Sequence, residues 1–157
     1  MLFIRQSNFF IMALTLENVI SPSLFSVKGD VGFTEGASTG GFPEGPNPQV
    51  VQRDQPVTFS FDWDQKGPLV PFLFGNWKCD IYFESLTAGP GYVFNKSITF
   101  VSSVPFVYPT TNIVVPANTI EEGIYRLTAR LMLTNTGSPG SPIAAFQDLG
   151  LCEFYVG

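Results

Sequence analysis

The chain contains no histidine. That absence removes the commonest general base and the commonest transition-metal ligand together. Charge is scarce as well: Asp, Glu, Lys and Arg make up 13% of the residues, roughly half the usual share. The eight Lys and Arg are scattered among thirteen Asp and Glu, and the net charge is −5. No basic stripe therefore exists for nucleic acid or for an anionic membrane surface. Only two cysteines occur, Cys79 and Cys152, with 72 residues between them, which fits no zinc or redox spacing. No apolar run is long enough to span a bilayer as a helix. Neither a metal nor an organic cofactor is expected from this inventory.

What the sequence does hold is aromatic and punctuated. Sixteen phenylalanines with few charges to solvate the outside imply a large aromatic core, or a partly apolar surface that serves as an interface. Thirteen prolines and fifteen glycines break the chain into short runs, so no long helical period survives. "PVTFSFDWD" alternates cleanly, with Val57, Phe59, Phe61 and Trp63 on one side and Thr58, Ser60, Asp62 and Asp64 on the other. "WKCDIYFE" puts Trp77, Cys79, Ile81 and Phe83 inward and Lys78, Asp80, Tyr82 and Glu84 outward. In "YRLTARLML" the inward set is Tyr125, Leu127, Ala129, Leu131 and Leu133, with Arg126 and Arg130 outside. "ALTLENVI", "LFSVKGDVGF", "YVFNKSITFV", "NIVVPANTI" and "IAAFQDLGLCEFYV" supply further strands. Roughly seven to nine short strands without a helix predict an all-β, two-sheet antiparallel β-sandwich.

One domain is expected over residues 12–157, interrupted at 34–49 by a long Gly/Pro-rich loop, "TEGASTGGFPEGPNPQ". The opening "MLFIRQSNFFIM" has an apolar stretch broken by polar residues and lacks a small-residue cleavage site, which argues against a secretory leader. Residues 1–11 are expected to be an apolar arm or a gene-model extension ahead of Met12. A cytoplasmic location is the corresponding expectation.

The stretch "NIVVPANTIEEGIYRLTA" resembles the E–F corner of an immunoglobulin-like or fibronectin III-like sandwich. The resemblance runs over about residues 50–157. It implies that Tyr125 returns its hydroxyl to the corner's backbone, with Gly123 permitting the tight approach, and that Trp77 is the core tryptophan of strand C. The sequence departs from antibody-type domains in its cysteines, which fall on strands C and G instead of B and F. Strand F would separate them by two strand spacings, near 9–10 Å, beyond disulfide reach. Two free, buried thiols are expected.

Few constellations carry chemistry. Asp62 and Asp64, with Asp54 upstream, offer too few oxygens for calcium. Asp80 and Glu84 are four apart on a strand, about 13 Å, too far for paired glycosidase carboxylates, and are expected as solvated partners of Lys78 and the arginines. "NKS" at Asn95 fits the glycosylation sequon by a short, common pattern. Arg126, Arg130 and Tyr82 form a conceivable ligand platform, set against ordinary cross-strand pairing with Glu84 and Asp80. "GPLVPFLFG" places Leu69, Val70, Phe72, Leu73 and Phe74 in a loop, where they either cap the sandwich or meet a partner. The expected function is a non-enzymatic interaction or assembly module that contacts another protein or itself through apolar loops and the arm. The alternative is a small carbohydrate- or ligand-binding sandwich using aromatics around Tyr82, Tyr92 and Tyr108.

Overall fold

The computed structural model describes residues 13–16, 20–36, 49–135 and 143–157. The expected arm at 1–11, most of the Gly/Pro-rich loop and the 136–142 hairpin loop lie outside them. Ten strands follow in order: β1 (Thr15–Leu16), β2 (Ser26–Glu35), β3 (Gln49–Gln52), β4 (Val57–Lys66), β5 (Asn76–Ser85), β6 (Tyr92–Thr99), β7 (Phe106–Val107), β8 (Thr111–Val115), β9 (Gly123–Thr134) and β10 (Ala144–Tyr155). They form two sheets packed face to face. The larger runs β1-β10-β9-β5-β6 with β3 also on β10; the smaller runs β2-β4-β7 with β8 also on β4.

The all-β sandwich is the one the alternation predicts, with three differences in detail. The strand count rises to ten because β1 and β7 are two-residue pieces. The expected loop is shorter than 34–49, since Thr34 and Glu35 complete β2 and Gln49 opens β3. One pairing is parallel: β3 lies along β10 with Val51 opposite Phe154, whereas every other ladder is antiparallel. β2 belongs to the smaller sheet and β3 to the larger one.

The core is the meeting of the two inner faces. Phe59, Phe61 and Trp63 of β4 face Trp77, Ile81 and Phe83 of β5 and Tyr125, Leu127 and Leu131 of β9, all at most 2% exposed. Two aromatic clusters fill the sandwich. Around Trp77 stand Phe25, Trp63, Phe100 and Tyr108, at ring-centroid distances of 6.0–6.5 Å. Around Phe83 stand Phe59, Phe94, Tyr125 and Phe154 at 5.5–6.1 Å. Such edge and offset contacts add a fraction of a kilocalorie to about 1.5 kcal/mol each beyond area burial. A polar stitch closes one open side: the Gln147 amide accepts from Val31 N at 2.9 Å and donates to Val31 O at 3.1 Å. A side chain thus satisfies β2 backbone groups that no strand reaches, which is how an edge is kept from pairing with a foreign strand.

Tyr125 occupies the corner that the sequence implies. Its ring is wholly buried and its hydroxyl donates to Glu121 O at 3.1 Å. Gly123 brings the backbone so near the β5–β6 turn that a Cβ there would lie 2.5 Å from Thr87 Oγ1. Tyr125→Phe keeps the packing and strands the Glu121 carbonyl, so a loss of about 1 kcal/mol is expected in urea denaturation. A change below a few tenths of a kilocalorie would mean that water replaces the hydroxyl.

Both thiols are free and buried. Their separation exceeds the expected two strand spacings, because Cys79 lies opposite Leu131 of β9 while Cys152 lies opposite Tyr125. The offset is six positions along the strand, on the order of 20 Å along its axis. Burial pushes both thiols up to about 12, with Asp80 adding to the effect at Cys79 and Glu35 and Glu153 at Cys152. The thiolate is the reacting species, so a maleimide or disulfide reagent at pH 8 is expected to label neither thiol over minutes in the native protein and both at once in denaturant. Fast native labelling would contradict this placement.

Candidate functional site

Two regions hold the residues that the sequence singles out, and they lie on different parts of the sandwich. The first is the loop between β4 and β5. Gly67 and Gly75 flank it at φ values of +122° and +123°, and each lets backbone press on backbone. A Cβ at Gly67 would meet Leu24 O at 2.2 Å, and one at Gly75 would meet Thr134 O at 2.1 Å. Between them the chain makes a single 3-10 turn, Val70–Phe72, closed by Val70 N to Gly67 O, Phe72 N to Leu69 O and Leu73 N to Val70 O bonds of 3.0–3.2 Å. Pro71 sits within that turn and holds φ near its helical value.

This turn sorts the five apolar residues by depth. Val70 is completely buried, and Leu69 and Leu73 pack partly against the core. Val70 therefore presents no contact surface and takes the capping alternative: a 3-10 repeat of three turns Val70 and Leu73 inward together. Phe72 and Phe74 point out, 77% and 66% exposed. Neighbouring segments carry more exposed apolar surface. Leu24 is bonded into the loop through Leu69 N to Leu24 O at 3.0 Å. The segment before β7, which contains exposed Val104, is joined to it by Ser102 Oγ to Leu73 O and Phe100 N to Gly75 O, both 3.0 Å. Sequence reading missed Leu24 and Val104. Their signal is the lack of charge: Ile20–Val27, Gly67–Trp77 and Ser97–Ile120 hold no ionisable side chain except Cys and Tyr.

The second region is the outer face of the larger sheet. Asp80 is not the solvated residue that alternation implies; it faces outward yet is 0% exposed. Arg130 covers it, donating from Nε at 2.9 Å and Nη2 at 2.7 Å to Oδ2, and Lys78 Nζ stands 3.6 Å from Oδ1. The Arg130 guanidinium also lies 5.2 Å from the Tyr82 ring centroid, a cation–π distance. Arg126, whose cross-strand neighbour is Glu84, bonds Asp148 on β10. That hydrogen bond, together with one from Gly150 N, holds the Asp148 carboxyl below its ordinary range. Glu84, Leu86, Arg126, Asp148, Gly150 and Leu151 line a shallow open depression beside it. Both arginines are thus committed to carboxylates of their own sheet.

The remaining candidates are spread out. Tyr108 is buried with its hydroxyl donating to Gln65, and Tyr92 is half-buried over Phe83, so neither extends the Tyr82 platform. Asp62 holds Thr110 and Asp64 pairs with Lys66 at 3.4 Å. Among the described residues no group of three or more Cys, Asp or Glu could hold a metal ion, and no helix is long and apolar enough to cross a membrane.

Fold and site together define the class, a two-sheet β-sandwich with an apolar loop end and an ion-paired outer face. Compared with known proteins, the chain matches no protein-family model and no curated protein.

Proposed function

We propose that the chain is a non-enzymatic interaction or assembly module, an immunoglobulin-like sandwich that contacts another protein or itself through the apolar loops at one end. The amino-terminal arm is a second contact in this reading, and a cytoplasmic location belongs to it. The immunoglobulin-like type is supported by the Tyr125 corner and by Trp77 on the strand after β4. The functional reading is carried by one observation: Phe72 and Phe74 are held out to solvent on a loop that is hydrogen-bonded internally and to its neighbours. Keeping a phenylalanine exposed forgoes roughly 1.5–3 kcal/mol of burial, and contacts of this kind usually mark an interface.

The alternative, a carbohydrate- or ligand-binding face at Tyr82, Arg126 and Arg130, draws less support because the guanidiniums already have carboxylate partners. Two free thiols too distant to bridge are compatible with a reducing compartment. The test is native mass spectrometry of the protein isolated from its own source. A complex heavier than the 17.2 kDa chain is expected, and it is lost with Phe72→Asp. A monomer whose tyrosine fluorescence responds to a glycan panel would replace this reading with the alternative.

A further inference from the structure

Charge is distributed unevenly along this sandwich. The segments 20–27, 67–77, 97–120 and 131–147 contain no Asp, Glu, Lys or Arg. Parts of all four meet at one end. Leu24 bonds Leu69, Gly75 packs against Thr134 and Asn135, and the chain from Phe100 to Ser102 bonds Gly75 and Leu73. Exposed Leu24, Phe72, Phe74 and Val104 stand on these joined segments, flanked by Ser21, Ser23, Ser102 and Ser103. The whole net charge of −5 is therefore carried by the rest of the molecule.

We propose that this apolar end binds a second copy of the same end, giving a two-fold, head-to-head dimer. The proposal rests on the interaction-module reading and names its partner. Three considerations select the second copy. A two-fold contact places the same patch on both sides, so any charge in it meets its own kind; the segments of this patch carry none, and the nearest cation, Lys66 beside Gly67, is already paired with Asp64 at 3.4 Å. End-to-end docking also leaves the outer-sheet carboxylates Glu84 and Asp148 several residues down their strands from the contact. A lipid surface fits less well, because stable anchoring by a small apolar tip needs a second, basic signal, and Lys66, which borders the loop, is already paired with Asp64. Phe72 and Phe74 together present roughly 300 Å², against about 800 Å² per partner in a standard interface. The contact is consequently weak and concentration-dependent.

The experiment is sedimentation velocity on the purified full chain over a range from micromolar to near-millimolar. Wild type is run beside Phe72→Asp, Phe74→Asp, the double variant and a 1–11 deletion. Near-ultraviolet circular dichroism checks that each variant keeps its aromatic core. A monomer–dimer equilibrium is expected that persists or tightens as salt is raised. Each aspartate variant should weaken it roughly thirtyfold or more, and the deletion should leave it unchanged. A chain monomeric throughout overturns the second copy while leaving a different protein as partner for the same end. A dimer indifferent to both aspartates overturns the proposal and moves the contact off this end. Binding of the monomer to phosphatidylcholine vesicles, abolished by the double variant, would assign the end to lipid and overturn the dimer.

Discussion

Replacing Arg130 by alanine is expected to cost about 3–5 kcal/mol of stability, far more than an outward-facing arginine on a strand normally does. Surface ion pairs are worth about 0–1 kcal/mol because water and side-chain entropy offset them. This pair differs because Asp80 has no exposure at all, and its Oδ2 takes two donors from one guanidinium. Removing the guanidinium strands a carboxylate inside the sheet's outer layer, with only Lys78 Nζ at 3.6 Å to answer it. The Tyr82 ring loses its cationic cover in the same step. Removing both charges, with Asp80→Leu and Arg130→Leu together, is expected to recover most of the loss, since the desolvation cost disappears with the pair. Urea denaturation followed by tryptophan emission measures both variants. A cost for Arg130→Ala below about 1 kcal/mol would place Asp80 in contact with water after all.

Trp77→Ala is expected to have an effect of similar size, about 3–5 kcal/mol, by a different route. Trp77 joins the two sheets: it belongs to β5, stacks on Phe25, and meets Trp63 of β4 edge-on at 6.5 Å. Phe100 and Tyr108 close the remaining sides. Truncation empties a space bounded by both sheets, which cannot collapse without moving one of them. Trp77→Phe leaves a smaller void and should cost appreciably less, so the pair of variants separates lost volume from a general intolerance of change at this position. A domain of this size is worth about 5–15 kcal/mol in total, so the alanine variant is expected close to the edge of unfolding at 37 °C. An alanine variant as stable as wild type would show that the aromatic cluster is not the join between the sheets.

Much of the fold is legible in the sequence because period 2 says which face a side chain takes. The inward sets of β4, β5 and β9 follow from it directly, and "GIYRL" marks a corner whose tyrosine needs a buried carbonyl partner. Period 2 does not say how deep a residue lies. Asp80 alternates outward, but Arg130 is its register partner and Lys78 and Tyr82 flank it on the same strand, and that cover is set by register. The same gap explains the cysteines: assignment to the strands on either side of β9 leaves their offset along it open. In "GPLVPFLFG" the strand rule fails because a 3-10 turn repeats every three residues, and so Val70 and Leu73 turn inward while Phe72 and Phe74 stay out. The uncharged segments of the apolar end are visible as composition, but only the fold brings the four together.

Amide hydrogen exchange, comparing the dilute chain with its assembled form, tests the central claim most directly. Slowed exchange is predicted in peptides covering 67–75 and 100–105, with 78–84 and 126–130 on the outer sheet face unchanged. Protection of 78–84 and 126–130 with the loop end unaffected would contradict it, and would move the functional surface to the ion-paired sheet.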